Sequence, residues 1–231
     1  MILELTSIWR IAVYKSPLLA SLALLIPSLS NAATLDVTVL NPDQSGVQGM
    51  ILYAEPLEHS IPDLPSQKIE IAQKDRAFAP YITVMQRQDE VEFSNQDDFT
   101  HHIYSISGEN RFSFKLRSGQ SKALEGLSNN AGSETIAMGC NIHDWMSGFI
   151  LILDTPYFTE TGKNGQATLK LQQTGKYRLT LWHPQLKTTD NRLTKTINLA
   201  NDQNITWSLA NRFEVVPPQA DEEDFEFLDK Y

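Results

Sequence analysis

Apolar residues in this chain recur at every second position in short runs, and past Ala32 almost none recur at the spacing of a helix. Leu35, Val37 and Val39 alternate with Asp36 and Thr38. Ala167, Leu169 and Leu171 follow the same period, as do Tyr177, Leu179 and Leu181 after Gly175. Each run is a strand with one face for a core and one for water, which commits the chain to sheets packed face to face. Further strands are predicted at 47–53, 68–72, 82–85, 91–93, 103–106, 111–116, 135–138, 149–153, 196–199 and 205–209, spaced as in a β-sandwich. Turn signals separate them: Asn41-Pro42-Asp43-Gln44-Ser45-Gly46, the proline-rich stretch 56–65, and Thr161-Gly162-Lys163-Asn164-Gly165. The length of 231 residues suits one large domain or two small all-β ones, and a hydrophobic content of 41% can fill a core.

The segment 1–32 reads as a signal peptide. Arg10 and Lys15 flank a short apolar core at 18–26, and Ser30-Asn31-Ala32 ends in small residues suited to cleavage before Ala33. A bilayer takes about 20 apolar residues, so no membrane span is expected after cleavage; an uncleaved anchor is the alternative. The implied location is the periplasm. A formal charge of −9 argues against nucleic acid as a partner and leaves room for basic proteins. At the other end, 213–231 carries Asp221-Glu222-Glu223-Asp224 and is expected to be a disordered acidic tail. Phe225, Phe227 and Tyr231 make a docking segment the alternative.

An exported chain usually pairs its cysteines, yet this one has only Cys140. The options are a reactive thiol, an intermolecular bridge, a metal ligand or a small buried hydrophobe. Its neighbours favour the ligand. Gly139-Cys140-Asn141-Ile142-His143-Asp144-Trp145-Met146 sets a thiolate, an imidazole and a thioether at C-x-x-H-x-x-M spacing, where a compact loop turns all three to one point. That donor set suits copper, whereas structural zinc sites carry more cysteines. A second imidazole is offered by His101 or His102. Strand register favours His101, since neighbours on a strand face opposite sides. Met146 is either a weak axial donor or core filling. His183 is read as structural. No Gly-x-Ser-x-Gly elbow, phosphate loop or His-Glu-x-x-His motif competes.

The segment Phe93-Ser94-Asn95, with His101 six residues after Asn95 and the cysteine cluster following, resembles the cupredoxin (blue copper) family over about 68–153. Phe78-Ala79-Pro80-Tyr81-Ile82-Thr83-Val84 is similar to the strand that leads into that family's first motif. The cysteine loop has amicyanin-type spacing, and the two motifs together resemble periplasmic proteins catalogued as methylamine-utilisation or plastocyanin-like. The resemblance implies an all-β Greek-key sandwich over 68–154 with one copper ion held by His101, Cys140, His143 and Met146. It also implies an apolar collar of Ile142, Trp145 and Met146 for protein redox partners. This sequence departs in having His102 where many members have Asn, and Ala137-Met138-Gly139 before the cysteine.

The outer segments are read as a hairpin at 33–58 and a β-sandwich at 155–212; within them Leu35–Tyr53 and Thr161–Trp182 resemble the opening and closing strands of a transthyretin-like or carboxypeptidase-regulatory-like domain. The expectation is a second sandwich into which the copper domain is inserted. The functional expectation is a periplasmic type 1 copper protein, not an enzyme, that carries single electrons between protein redox partners. A copper carrier or storage protein, and a metal-free envelope interaction protein, are the rivals.

Overall fold

The computed structural model describes residues 32–61, 64–124, 126–127 and 134–215. The signal peptide read at 1–32 lies outside them except for Ala32, as does the acidic tail beyond Val215. The described residues contain no helix, and so none long and apolar enough to cross a membrane.

Among the described residues, sixteen strands form four sheets. One pair of sheets is built from the two ends of the described chain: β1 (Ala33–Leu40), β2 (Ile51–Pro56), β12 (Phe158–Glu160), β13 (Gln166–Leu171), β14 (Gly175–Trp182), β15 (Arg192–Leu199) and β16 (Gln203–Ser208). Their order is β13-β1-β16 in one sheet and β12-β2-β14-β15 in the other. The alternation seen in sequence supplies the core between them: Leu35, Val37 and Val39 meet Leu52, Leu169, Leu179 and Leu181.

The second pair is built from the middle of the chain: β3 (Lys68–Lys74), β4 (Ala77–Ala79), β5 (Ile82–Gln86), β6 (Glu90–Asn95), β7 (His101–Ser105), β8 (Phe112–Leu116), β9 (Ser121–Leu124), β10 (Glu134–Cys140) and β11 (His143–Leu153). The orders are β4-β3-β6-β9 and β5-β11-β10-β7-β8. Phe78, Phe93, Ile103, Ile136, Ile150 and others fill this core. Each of its sheets holds one parallel pair, β3 with β6 and β5 with β11.

The two pairs are joined by a third apolar layer. Ile51, Tyr53 and Trp182 on the outer face of β2 and β14 meet Leu151 and Leu153 of β11, with Ile82, Val84 and Phe149 against them. The strand period produces this directly. On β11, Ile150 and Ile152 point into the core of the second sheet pair, and Leu151 and Leu153 point the other way. Burying a large apolar side chain is worth about 1.5–3 kcal/mol, so this seam is a substantial attachment and not a flexible hinge.

Two expectations fail. The 33–58 segment is not a hairpin: β1 pairs with β13 and β16, while β2 pairs with β12 and β14 in the facing sheet. Only a single bridge, Leu40 to Gly46, marks the turn. The residues 47–50 cross between sheets instead of starting a ladder. Gly49 takes a positive φ of 84°, and Met50 N–H donates to Thr161 Oγ1 at 3.0 Å. The stretch 78–84 is likewise not one strand, because the chain changes sheet at Ala79-Pro80; proline has no N–H with which to continue a ladder.

Candidate metal centre

The site forms at one end of the second sheet pair, where β7, β10 and β11 run side by side. β10 pairs antiparallel with β7, setting Cys140 opposite Ile103 and Gly139 opposite Tyr104. The Tyr104 ring covers Gly139 so closely that a Cβ there would lie 2.9 Å from it, which explains the glycine before the cysteine. Asn141 and Ile142 then make a tight turn that brings His143 opposite Cys140. The next paired position up the ladder is Gly139 with Ser147, so Asp144, Trp145 and Met146 bulge out of register. The predicted loop is thus a two-residue turn followed by a bulge within β11.

His101 begins β7 and is fully sealed from water. Its Nδ1 lies 3.5 Å from Cys140 Sγ, and His143 Nδ1 lies 3.7 Å from the same sulfur. The three donor atoms all fall within 4.8 Å of one another. His102, one residue on, points to the other face: its Nε2 is 2.8 Å from Ser113 Oγ and its Nδ1 is 3.3 Å from Asn141 Nδ2. His102 thereby ties β7 to the cysteine turn, reinforced by Asn141 N–H donating to the His102 carbonyl at 2.9 Å. Met146 is buried in the same core cluster as Cys140. It is therefore not part of an exposed apolar collar; of the three residues expected there, Ile142 is exposed and Trp145 half-buried.

The donors fit a single metal ion. An ion bonded at about 2.0 Å to nitrogen and about 2.3 Å to sulfur, at a trigonal angle, needs a sulfur–nitrogen separation of about 3.7 Å. The observed separations of 3.5 and 3.7 Å match. Two imidazoles and one sulfur are donors that suit copper, and Met146 is buried in the same core cluster as Cys140.

Electrostatics prepare the same atoms. Burial is the strongest influence on Cys140 and raises its pKa, but the His101 ring and the backbone N–H groups of Ile142 and His102 outweigh it, holding the thiol below its usual range. Burial likewise disfavours charge on His101, yet Cys140 and Asp97 together pull its pKa up. These neighbours favour the thiolate, the form that binds metal.

Sequence reasoning missed two residues of this site. Asp97, four residues before His101, has Oδ2 2.7 Å from His101 Nε2. Phe99 lies against both imidazoles, its ring centroid 4.9 Å from that of His101 and 5.4 Å from that of His143. The signal was present in Asn95-Gln96-Asp97-Asp98-Phe99-Thr100-His101, but an acidic residue in a polar turn reads as solvated. His183 does not join the site; it lines a separate cavity of about 870 Å³ with Tyr81, Arg212 and Phe213.

No protein-family model matches the chain, and no curated protein matches it. Solved structures do match in part. A copper-containing nitrite reductase from Thermus scotoductus is 21% identical at a TM-score of 0.34, over 42% of this chain and 25% of that one. The chain thus spans only a quarter of that reductase. A copper(I) amicyanin variant is 15% identical at a TM-score of 0.33, over 37% of this chain and 81% of its own. A purple cupredoxin from Nitrosopumilus maritimus is 16% identical at a TM-score of 0.32, over 36% of this chain and 98% of its own. The metal assignment rests on the donor atoms themselves.

Proposed function

We propose that His101, Cys140 and His143 hold one copper ion with Met146 as a weak axial donor, and that the chain is an exported electron carrier serving protein redox partners in the periplasm. The observation that carries this reading is the convergence of Sγ and two Nδ1 atoms at 3.5 and 3.7 Å on strands fixed by a full sandwich core. Copper in such a set supplies one-electron chemistry between copper(I) and copper(II). The chain's own part is to keep the donors still. β7 fixes His101, the Asn141-Ile142 turn fixes Cys140 against His143, and Phe99 and Trp145 flank the His143 ring, with centroids 5.4 and 5.3 Å away. A rigid donor set accepts both oxidation states with little rearrangement. His143 is the half-exposed member, and exposed Ile142 beside it gives a partner an apolar contact.

The same reading treats 68–154 as a copper sandwich inserted into a second sandwich made of 33–58 and 155–212. The pairing of β1 with β13 and β16 supports it. On this reading the chain is an electron carrier and not an enzyme.

The test is a titration of the purified chain with copper(II), followed by visible absorption. One equivalent is expected to develop an intense thiolate-to-copper band, and Cys140→Ser to abolish it while the copper-free protein melts as wild type does. A colourless copper(I) form that never oxidises would identify a carrier or storage protein instead. Absence of copper binding would leave a metal-free sandwich.

A further inference from the structure

Asp97 lies in the turn between β6 and β7 with its side chain only 9% exposed. Three donors converge on its carboxylate. Asp75 N–H reaches Oδ1 at 2.7 Å, Arg76 N–H reaches Oδ2 at 3.1 Å, and His101 Nε2 reaches Oδ2 at 2.7 Å. Asp75 and Arg76 form the turn from β3 to β4, and both take positive φ, 53° and 59°. Successive residues in such turns aim their N–H groups at one anion. The turn is held to the site a second time, by the Arg76 guanidinium 5.9 Å over the Phe99 ring. From the other side, Asp97 N–H donates to Asn95 Oδ1 at 3.0 Å, and Asn95 Nδ2 donates to the Phe99 and Leu116 carbonyls.

An ionised carboxylate only accepts hydrogen bonds, so His101 Nε2 is the donor. In the neutral ring this leaves the lone pair on Nδ1, the atom that faces Cys140 Sγ. Partners of this kind on a ligating histidine fix its tautomer and ring orientation and make the other nitrogen a stronger donor. We infer that Asp97 is a positioning residue for the metal centre: it locks His101 with Nδ1 turned to the metal and anchors that ligand to the turn between β3 and β4. The inference rests on the copper reading above.

Asp97→Asn and Asp98→Asn, each in the full chain loaded with copper, make the test. Both remove one negative charge, but Asp98 is exposed and one residue further along. Asp97→Asn is expected to keep the visible band, lose copper(II) affinity by about ten- to a hundredfold, and shift the reduction potential upward, because the cupric state loses its anionic support. Asp98→Asn is expected to leave affinity and potential as in wild type. No change in Asp97→Asn would overturn the inference, and so would equal shifts in the two variants, which would reduce Asp97 to a contribution to the local field. Nitrogen NMR on the copper-free wild type reads the ring without any variant. His101 is expected to carry a slowly exchanging proton on Nε2; a bare Nε2 would overturn the inference even if copper binds. A wild type that takes no copper but keeps this proton would sink the copper reading alone.

Discussion

His183, just past the end of β14, and His101, at the start of β7, belong to different sheet pairs and are almost equally sealed from water, at 1% and 0% exposed. Their chemistry is opposite. His183 has an aromatic neighbour, Phe213, at 5.0 Å between ring centroids, and its Nδ1 accepts the Gln185 N–H at 3.1 Å. Burial with no countercharge pushes its pKa down to about 4. His101 suffers the same burial but has Asp97 on one nitrogen and Cys140 on the other, and its pKa rises. Depth in the protein therefore does not make a histidine functional. What sets His101 apart is the polar chain that runs from Asp97 through its ring to Cys140.

The comparison breaks most sharply at the ligand itself. His101→Ala is expected to lose the coloured copper(II) site outright, whereas His102→Ala keeps the band and only loosens the turn held by Asn141. Copper titration with visible and electron paramagnetic spectra checks both. If His102→Ala is the variant that bleaches, the strand register read here is wrong.

A smaller effect is expected from His183. Its folded pKa of about 4 lies below the ordinary histidine value of 6.5, so between these values the unfolded chain binds a proton that the native one refuses. Stability is then fully present above about pH 6.5 and falls as pH drops towards 4, by roughly 3 kcal/mol. Denaturant unfolding of copper-free protein across that range measures the slope, and His183→Gln is expected to flatten it. A slope that persists in the variant would assign the effect to other groups.

The smallest effect is a change of potential alone. Met146→Leu conserves volume in the core and removes only a weak donor, so the visible band is expected to survive while the reduction potential rises. An identical potential would mean that the sulfur serves the core it shares with Ile136 and Ile150.

The sequence was most legible where strands are long and one-sided. Leu35-x-Val37-x-Val39 and Tyr177-x-Leu179-x-Leu181 declare both their period and their buried face, and the same parity argument separates His101 from His102. Alternation does not say which sheet a strand enters, so the crossing from β1 to β2 read as a hairpin. Three strands, β4, β9 and β12, were missed because three or four residues at a sheet edge carry no measurable period. The run Phe149-Ile150-Leu151-Ile152-Leu153 marked a strand buried on both faces, but nothing in it named what covers the second face. Cys140 and His143 stood out through their spacing. Asp97 did not, because its partners come from the turn at Asp75-Arg76, some twenty residues away along the chain.

The apolar seam between β2 and β14 on one side and β5 and β11 on the other bears on how such a molecule could be dismantled or reused. Excising 68–154 would leave Ile82, Val84, Phe149, Leu151 and Leu153 facing water on one continuous sheet surface. A bare surface of that kind is a template for aggregation. The middle sheet pair is thus not a transplantable cassette: its apolar outer face is covered by strands that begin more than thirty residues before it and resume only after it ends.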